Sequence, residues 1–410
     1  MKKYFLVILV LSLLAALEPL SIDIYLPAFE DIAKGLNVEM SKVQISLSTF
    51  LAGFAIGQLL WGPVSDYYGR KRPILLAMCI FILCSFIASH VTTVGQLWVV
   101  RFFQAFSGCA GVVIGRAVVN DLFEGKLRTK VFALLVIISG VAPIIAPTLG
   151  NAILKVWHWQ GIFYTMAIIG IITVLLSALF LPKNRSVKDL DLKNSPKPNL
   201  KNMLVGYVKI MANWQFVIYT FIGAMLYASL MTYVSNAPFI IMTKGGLSSD
   251  WFSLIFAINA IGLIIGTLII TPLDKKMGLH KLIKIAVILQ IPISIALVVF
   301  SFWGSSIFPI LVLLFMNLVL TGLLMPTTTS LALEPFTIES GTASALMGFI
   351  QLFFTFIFST VVSYLQNNSI IPSMVAILLC ALFSLLFILM DNHKTSRDIY
   401  YRIGAGGKRM

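Results

Sequence analysis

Twelve long apolar runs, separated by mostly short polar loops, dominate the sequence and leave little open to it except a helical membrane bundle. A membrane-crossing helix needs about 20 mostly apolar residues. Such runs fall near 5–27, 43–64, 73–91, 95–119, 129–153, 160–182, 213–242, 251–272, 281–301, 307–331, 342–365 and 371–390. Only 11% of the 410 residues are charged and 59% are hydrophobic, whereas a soluble domain carries roughly 25% charged residues. A chain this poor in polar side chains must present apolar ones to lipid. The net charge of +14 raises nucleic acid as a partner. That reading fails on position, because the basic residues sit in loops between apolar runs and form no stripe.

Those loop charges set an orientation. If the N-terminus is cytoplasmic, 24 of the 30 Lys/Arg lie on the cytoplasmic side and four (Lys34, Lys42, Lys155, Lys244) on the other. The remaining two, Arg101 and Arg116, lie within the fourth run. This asymmetry follows the positive-inside rule and puts both termini in the cytoplasm. Lys2-Lys3 and the apolar run after them resemble a secretory leader. The run continues past Glu18-Pro19 without a small-residue cleavage site, so it reads as the first span. Cys79, Cys84, Cys109 and Cys380 all fall inside apolar runs and read as small buried hydrophobes; no Cys/His spacing suggests a metal.

The longest polar stretch, Lys183 to Lys209, divides the chain into a six-span bundle over 1–182, a cytoplasmic linker over 183–210, a second bundle over 211–391 and a tail over 392–410. The halves echo each other. Gly62-Pro63-Val64-Ser65-Asp66-Tyr67-Tyr68-Gly69-Arg70-Lys71-Arg72 follows span 2, and Thr271-Pro272-Leu273-Asp274-Lys275-Lys276-Met277-Gly278 follows span 8. Gly53-x-x-x-Gly57 in span 2 is matched by Gly262-x-x-x-Gly266 in span 8, a spacing that permits close helix approach. Duplicated halves with a site between them are the architecture of alternating-access carriers.

An ionisable group at the centre of a membrane helix costs at least ~2.5–3.5 kcal/mol, so each one demands a reason. Span 1 carries Glu18 and Asp23, and span 4 carries Arg101 and Arg116. Asp23 lies about one turn from the outer end of its span, and Arg101 lies roughly 9 Å below the same surface. Arg116 is about 22 Å deeper. Depth therefore pairs Asp23 with Arg101, either as a helix-orienting ion pair or as a protonatable carboxylate tuned by the arginine. Glu18 is about 140° from Asp23 around a regular helix, which argues against a carboxyl dyad. It reads as a second proton- or cation-binding group or as a hydrogen-bonded structural one. Tyr25, Gln104, Asn236, Asn259 and Gln351 are the polar candidates for a substrate cavity. In span 5, Gly140, Pro143, Pro147 and Gly150 mark a bent, closely packed helix, either a packing kink or a moving element.

The loop from Gly62 to Arg72 resembles the signature between spans 2 and 3 of the major facilitator superfamily. Arg101-Phe102-Phe103-Gln104-Ala105-Phe106-Ser107-Gly108 resembles the span-4 motif of its drug/proton antiporter branch, and the proline-rich span 5 is similar to the antiporter motif. Asp23-Ile24-Tyr25-Leu26-Pro27-Ala28, Trp157-His158-Trp159-Gln160-Gly161-Ile162-Phe163 and Ser340-Gly341-Thr342-Ala343-Ser344-Ala345-Leu346-Met347-Gly348 resemble the Bcr/CflA multidrug efflux subfamily. Asn120-Asp121, where relatives usually have Arg-Asp, and Gln160 depart from its pattern.

The resemblance implies two six-helix bundles and proton-driven export of small drug-like molecules, with proton coupling at Asp23 and Arg101. It implies gating through Gly62, Asp66, Gly69, Arg70 and Arg72, in which Asp66 faces the N-terminus of span 11 and Arg70 braces it. The expected protein is a monomer of the bacterial inner membrane that is driven by the proton gradient, with no cofactor and no enzymatic chemistry. Rival readings are a same-fold carrier of one metabolite, such as a siderophore, nucleoside or sugar, and a non-transporting membrane sensor.

Overall fold

The computed structural model describes residues 4–182, 200–303, 306–336, 340–366 and 368–391. The sequence-predicted tail over 392–410, and the linker up to residue 199, lie outside the described residues. Within them the chain forms fifteen α-helices and no strand. Twelve helical segments are long and apolar enough to cross a membrane. This is the expected economy of a chain in lipid, where each backbone N–H and C=O must find its partner internally.

The first crossing runs from Phe5 to Gly35 and is longer than the sequence suggested. Its main part, α1 (Phe5–Asp23), stops where Pro27 has no N–H to offer the Asp23 carbonyl. A 3-10 turn at Leu26–Ala28 then leads into α2 (Phe29–Gly35), whose Glu30 and Asp31 favour a helix N-terminus. The rest of the first half is α3 (Met40–Tyr68), α4 (Lys71–Ala88), α5 (Val94–Leu122), α6 (Gly125–Val156) and α7 (Gln160–Phe180). An extra helix, α8 (Leu200–Met211), occupies part of the predicted linker and packs against α9 and α14. The second half is α9 (Trp214–Pro238), α10 (Ser249–Leu268) continued by α11 (Ile270–Met277), α12 (Leu279–Trp303), α13 (Phe308–Leu333), α14 (Ser340–Leu365) and α15 (Ile371–Leu389).

The two halves share one packing plan. In the first, α5 packs on α3 and α4, α4 packs on α7, and α1 packs on α5, α6 and α7. In the second, α13 packs on α10 and α12, α12 packs on α15, and α9 packs on α13, α14 and α15. The repeated sequence motifs sit at matching points. Gly53 lies against the Phe102 carbonyl where α3 crosses α5, and Gly266 lies against the Val319 carbonyl where α10 crosses α13. Gly69 (φ 85°) and Gly278 (φ 77°) end α3 and α11 in the left-handed region that favours glycine. The halves meet along two seams, α3 with α14 and α6 with α10.

Apolar side chains such as Leu83, Leu175, Leu179 and Leu268 stand exposed on the outer surface, the surface that lipid covers. Cys79 joins them, against the expectation of four buried cysteines; Cys84, Cys109 and Cys380 are buried. The reason is its place on the face of α4 that also exposes Leu76, Leu83 and Phe86.

The α10–α13 crossing gives a test. A Cβ on Gly322 would fall on the Leu263 carbonyl, whereas a Cβ on Gly140 meets nothing within 4 Å. Gly322→Leu should therefore destabilise the protein by ~1–3 kcal/mol, seen as a lower unfolding temperature in detergent. Gly140→Ala should unfold at an equal or higher temperature.

Candidate functional site

A cavity of about 330 Å³ opens between the halves, walled by α1, α5 and α6 on one side and by α9, α10 and α13 on the other. Three charged side chains face it: Glu18, Asp23 and Arg116. Pro19 shapes this wall. It has no N–H for the Ala15 carbonyl, which accepts instead from Ser139 Oγ of α6 at 3.4 Å. Glu18 and Asp23 thus line one cavity on either side of Pro19 without hydrogen-bonding each other. Arg116 of α5 lines the cavity on the same side as Glu18, and Tyr227 of α9 lines the opposite wall. Asn259 Nδ2 donates to the Tyr233 hydroxyl at 2.6 Å, and the Tyr233 ring stacks on Phe256 at 6.0 Å.

Arg101 does not pair with Asp23, so the depth argument needs correction. Its Nη2 donates to the Ser21 carbonyl at 3.1 Å and its Nη1 to Gln104 Oε1 at 2.7 Å. The guanidinium lies 4.5 Å from the Tyr25 ring and 4.3 Å from the Phe50 ring. Equal depth is not equal azimuth. Because α1 ends at Asp23, the Ser21 carbonyl points into the first half, while the Asp23 side chain, about 200° around the helix from Ser21, faces the cavity. Arg101 is fully buried inside the first half, held by that half's own groups.

Of the five residues predicted to line the cavity, only Asn259 does. Tyr25 is buried under Arg101 and shares a 2.8 Å hydrogen bond with Ser46. Gln104 is bound by Arg101 and donates to Ser85 Oγ at 2.7 Å. Asn236 turns back to donate to the Thr232 carbonyl of its own helix at 2.8 Å. Gln351 packs against Gly223. Each was chosen as a polar residue inside a span, yet such a residue serves its own half's packing as readily as a ligand.

The predicted gating residues divide by position. Arg70 donates to Asp66 at 2.5 Å, to Ser65 at 2.8 Å and to Asp121 at 2.8 Å, tying the ends of α3 and α5 together. Partial burial disfavours its charge, but Asp121 and Asp66 outweigh that and hold its pKa above the usual arginine value. Arg72 is exposed, and Gly62 makes only ordinary contact with Val113. The expected partner of Asp66, the start of α14, adjoins residues 337–339, which lie outside the described residues. In α6, Pro143 lines the cavity, Pro147 is buried, and Gly150 abuts the Ile24 carbonyl, while the helix continues through both prolines.

At the end of the bundle away from the N-terminus, Asn151 Nδ2 and Lys155 Nζ of α6 both donate to Asp250 Oδ1 of α10, each at 2.7 Å. This contact ties the halves together at that end of the bundle. Sequence reasoning missed it, and missed Tyr227 and Arg116 as residues of the cavity wall. The i, i+4 spacing of Asn151 and Lys155 placed both on one helix face, but nothing in it named Asp250.

The fold and the site are those of a membrane transporter. Residues 11–359 match the model of the Major Facilitator Superfamily, and the chain belongs to that family. It is 32% identical to the MFS-type transporter YdgK of Bacillus subtilis (strain 168), covering 95% of this chain and 96% of that one. It is 27% identical to the bicyclomycin resistance protein homolog of Haemophilus influenzae, over 94% and 96% of the two chains. The multidrug resistance protein MdtL of Escherichia coli is 29% identical over 83% of each. Among solved structures, a D-xylose-proton symporter superposes with a TM-score of 0.76 at 15% identity, over 93% of this chain and 97% of that one, a likeness of fold.

Removing the Arg101 guanidinium would leave the buried Ser21 carbonyl and Gln104 without their donor, at a cost of ~1–3 kcal/mol for each group left unsatisfied. Arg101→Met should therefore lower the unfolding temperature well below that of Arg116→Met, because Arg116 is exposed on the cavity wall. Equal unfolding temperatures for the two variants would contradict a bracing role for Arg101.

Proposed function

We propose that the protein is a proton-coupled exporter of small drug-like molecules, working as a monomer by alternating access in the bacterial cytoplasmic membrane. The observation that carries this reading is the pair of α1 acids, Glu18 and Asp23, on one cavity that both halves wall, with the halves tied together at the far end. The loop charges put the N-terminal end inside by the positive-inside rule, so the closed end faces outward and the cavity serves the cytoplasm in this state.

Charge on an acid inside a membrane protein calls for a counter-charge, and a proton supplies one without occupying space. In the outward-open state Asp23 and Glu18 load protons from the more acidic exterior. Return to the inward state delivers them to the cytoplasm, and cargo then enters the vacated cavity. Proton and cargo alternate at overlapping groups, so the gradient drives export without a cofactor. Arg101 serves the cycle by fixing the end of α1 through Ser21, and with it the direction in which Asp23 points. The cluster of Asp66, Arg70 and Asp121 stiffens the cytoplasmic ends of α3 and α5 for movement as a unit. Drug-like cargo is supported by the resistance proteins among the relatives and by the aromatic and aliphatic walls that Phe132, Tyr233 and Phe256 provide.

A pump-deficient bacterium expressing the chain should grow at raised concentrations of some members of a panel of antibiotics and dyes. Asp23→Asn should return growth to the level of the empty vector while the protein still reaches the membrane in normal amount. In acid-loaded inside-out vesicles, adding an active panel compound should release protons through the wild type and not through Asp23→Asn. Undiminished proton-driven transport by Asp23→Asn would remove Asp23 from the mechanism. Absence of any coupled proton movement in the wild type would sink the antiport reading.

A further inference from the structure

The outer part of the seam between α3 and α14 holds uncharged polar side chains that the cavity does not include. Ser48 Oγ of α3 donates to Ser359 Oγ of α14 at 2.8 Å, and Ser235 Oγ of α9 lies 3.3 Å from the same oxygen. The two seam helices run antiparallel, since Gln58 of α3 lies against Gly348 of α14. Gln44 and Ser363 therefore each stand one helical turn further outward than the serine pair, on the same helix faces. Gln44 is nine residues from Gly53, about 180° around α3 from the face that α5 approaches, so it points away from its own half. Gln44 and Ser363 are both fully buried. Among the described residues, neither atom of the Gln44 amide has a hydrogen-bond partner, and the Ser363 hydroxyl has none either. Gln366, almost a turn further out on α14, is likewise buried with both amide atoms unpartnered among the described residues. Inward, Ser235 follows Tyr227 and Met231 of α9 at intervals of four residues, and those two line the cavity. The polar strip thus continues the cavity wall outward. The charged contact of Lys155 with Asp250 lies at the other seam, between α6 and α10.

A buried polar group without a partner is costly, and each one in a native structure calls for an explanation. Leucine at position 44 would fill a seam in lipid without that cost. A carrier supplies the explanation, because it has a second state in which groups hidden in the first meet water and ligand. We propose that Gln44, Ser48, Ser235, Ser359 and Ser363 form an outer binding subsite for cargo. It is exposed when the halves part at the far end, and it selects uncharged compounds that both donate and accept hydrogen bonds. The proposal rests on the export reading above. One amide and four hydroxyls offer donors and acceptors together and carry no net charge. Such a surface gives little to a cation, whose counter-charges, Glu18 and Asp23, belong to the cavity. The serines satisfy one another while the seam is together, and on opening they exchange those bonds for bonds to water or cargo at little net expense. Gln44 has no bond to give up, so opening gains its hydrogen bonds outright. Cargo that reaches its amide stabilises the open state, which makes Gln44 the specificity-determining residue of the strip.

The test uses the full chain with its native cysteines replaced by alanine and Ser363→Cys introduced, in right-side-out membrane vesicles with a membrane-impermeant maleimide outside. The thiol should react slowly at rest, and faster when chloramphenicol is loaded inside and a proton gradient, acid outside, is imposed. External chloramphenicol, an uncharged amide that also bears hydroxyls, should then protect the thiol. Adding Gln44→Leu should raise the concentration for half-protection about three- to tenfold, the effect of one lost hydrogen bond. Tetraphenylphosphonium, a cation without hydrogen-bonding groups, should shift by a smaller factor. If the alanine background fails to elute as a monodisperse species, Gln44→Leu is made in the native chain. Half-saturation of the exchange of external for internal chloramphenicol should then rise by the same factor, and an unchanged value overturns the subsite. Labelling that chloramphenicol never slows marks the strip as a path for water only and overturns the proposal. A thiol that never reacts, in a protein that still exports chloramphenicol, does the same. Equal shifts for the two compounds, or a wild type that exports tetraphenylphosphonium but not chloramphenicol, overturn the stated selectivity. A wild type that exports no compound of the panel strikes at the export reading and takes the proposal with it.

Discussion

Everything in this molecule is arranged around the cost of leaving a backbone amide or carbonyl without a partner in lipid. Helices meet that cost along most of the chain, so the informative places are those where the ladder is interrupted. Pro19 releases the Ala15 carbonyl, and Ser139 of α6 takes it up. The end of α1 turns the Ser21 carbonyl inward, and Arg101 takes it up. Both substitutes come from neighbouring helices, so each break in α1 fastens it to α6 or α5. The element that carries the two acids is thereby fastened to two neighbours in its half. A cavity whose chemistry depends on two carboxyls benefits from that, because a group can act on a proton or a ligand only from a fixed position.

The same constraint explains what the sequence made legible. Span number, span position and the division into halves follow from apolar runs and loop charges, which act one residue at a time and survive without a three-dimensional context. The Gly53/Gly57 and Gly262/Gly266 spacings were readable too, since close helix crossing demands a small residue whatever its partner. Azimuth was not readable. Asp23 and Arg101 share a depth, but the helix break between Asp23 and Pro27 decides which way each group points, and the rise per residue carries no information on that. For the same reason Tyr25, Gln104 and Asn236 seemed available to a ligand, although each is committed to its own half. Asp250 could not be nominated, because it matters only through partners on the opposite half of the chain.

Charge placement separates what must stay rigid from what must move. Within the first half, Arg101 is buried with two hydrogen bonds and two aromatic faces, an arrangement that is costly to break because it would leave an uncompensated ion. Across the seam the contacts are of another kind. Lys155 and Asp250 are both more than half exposed, and an exposed pair of this sort is worth only ~0–1 kcal/mol. Ser48 and Ser359 join α3 to α14 by a single neutral hydrogen bond of 2.8 Å. Such ties can be exchanged for water at little net expense, whereas the glycine crossings inside each half place backbone against backbone and admit no rearrangement.

A transporter of this design needs a closed far end that is stable enough to hold yet weak enough to open on each cycle. One lysine–aspartate pair assisted by Asn151, and one serine–serine contact, fit that requirement better than a seam of leucine alone, and they stand beside apolar side chains that pack from one half onto the other. A leucine seam would bury more apolar area, but in a membrane the gain is small, because lipid is as apolar as leucine. Polar contacts therefore supply both the specificity of closure and the ease of opening. Placing the acids at the cavity, one layer beneath the latch, puts the proton-binding groups where the movement of one half against the other changes their surroundings most.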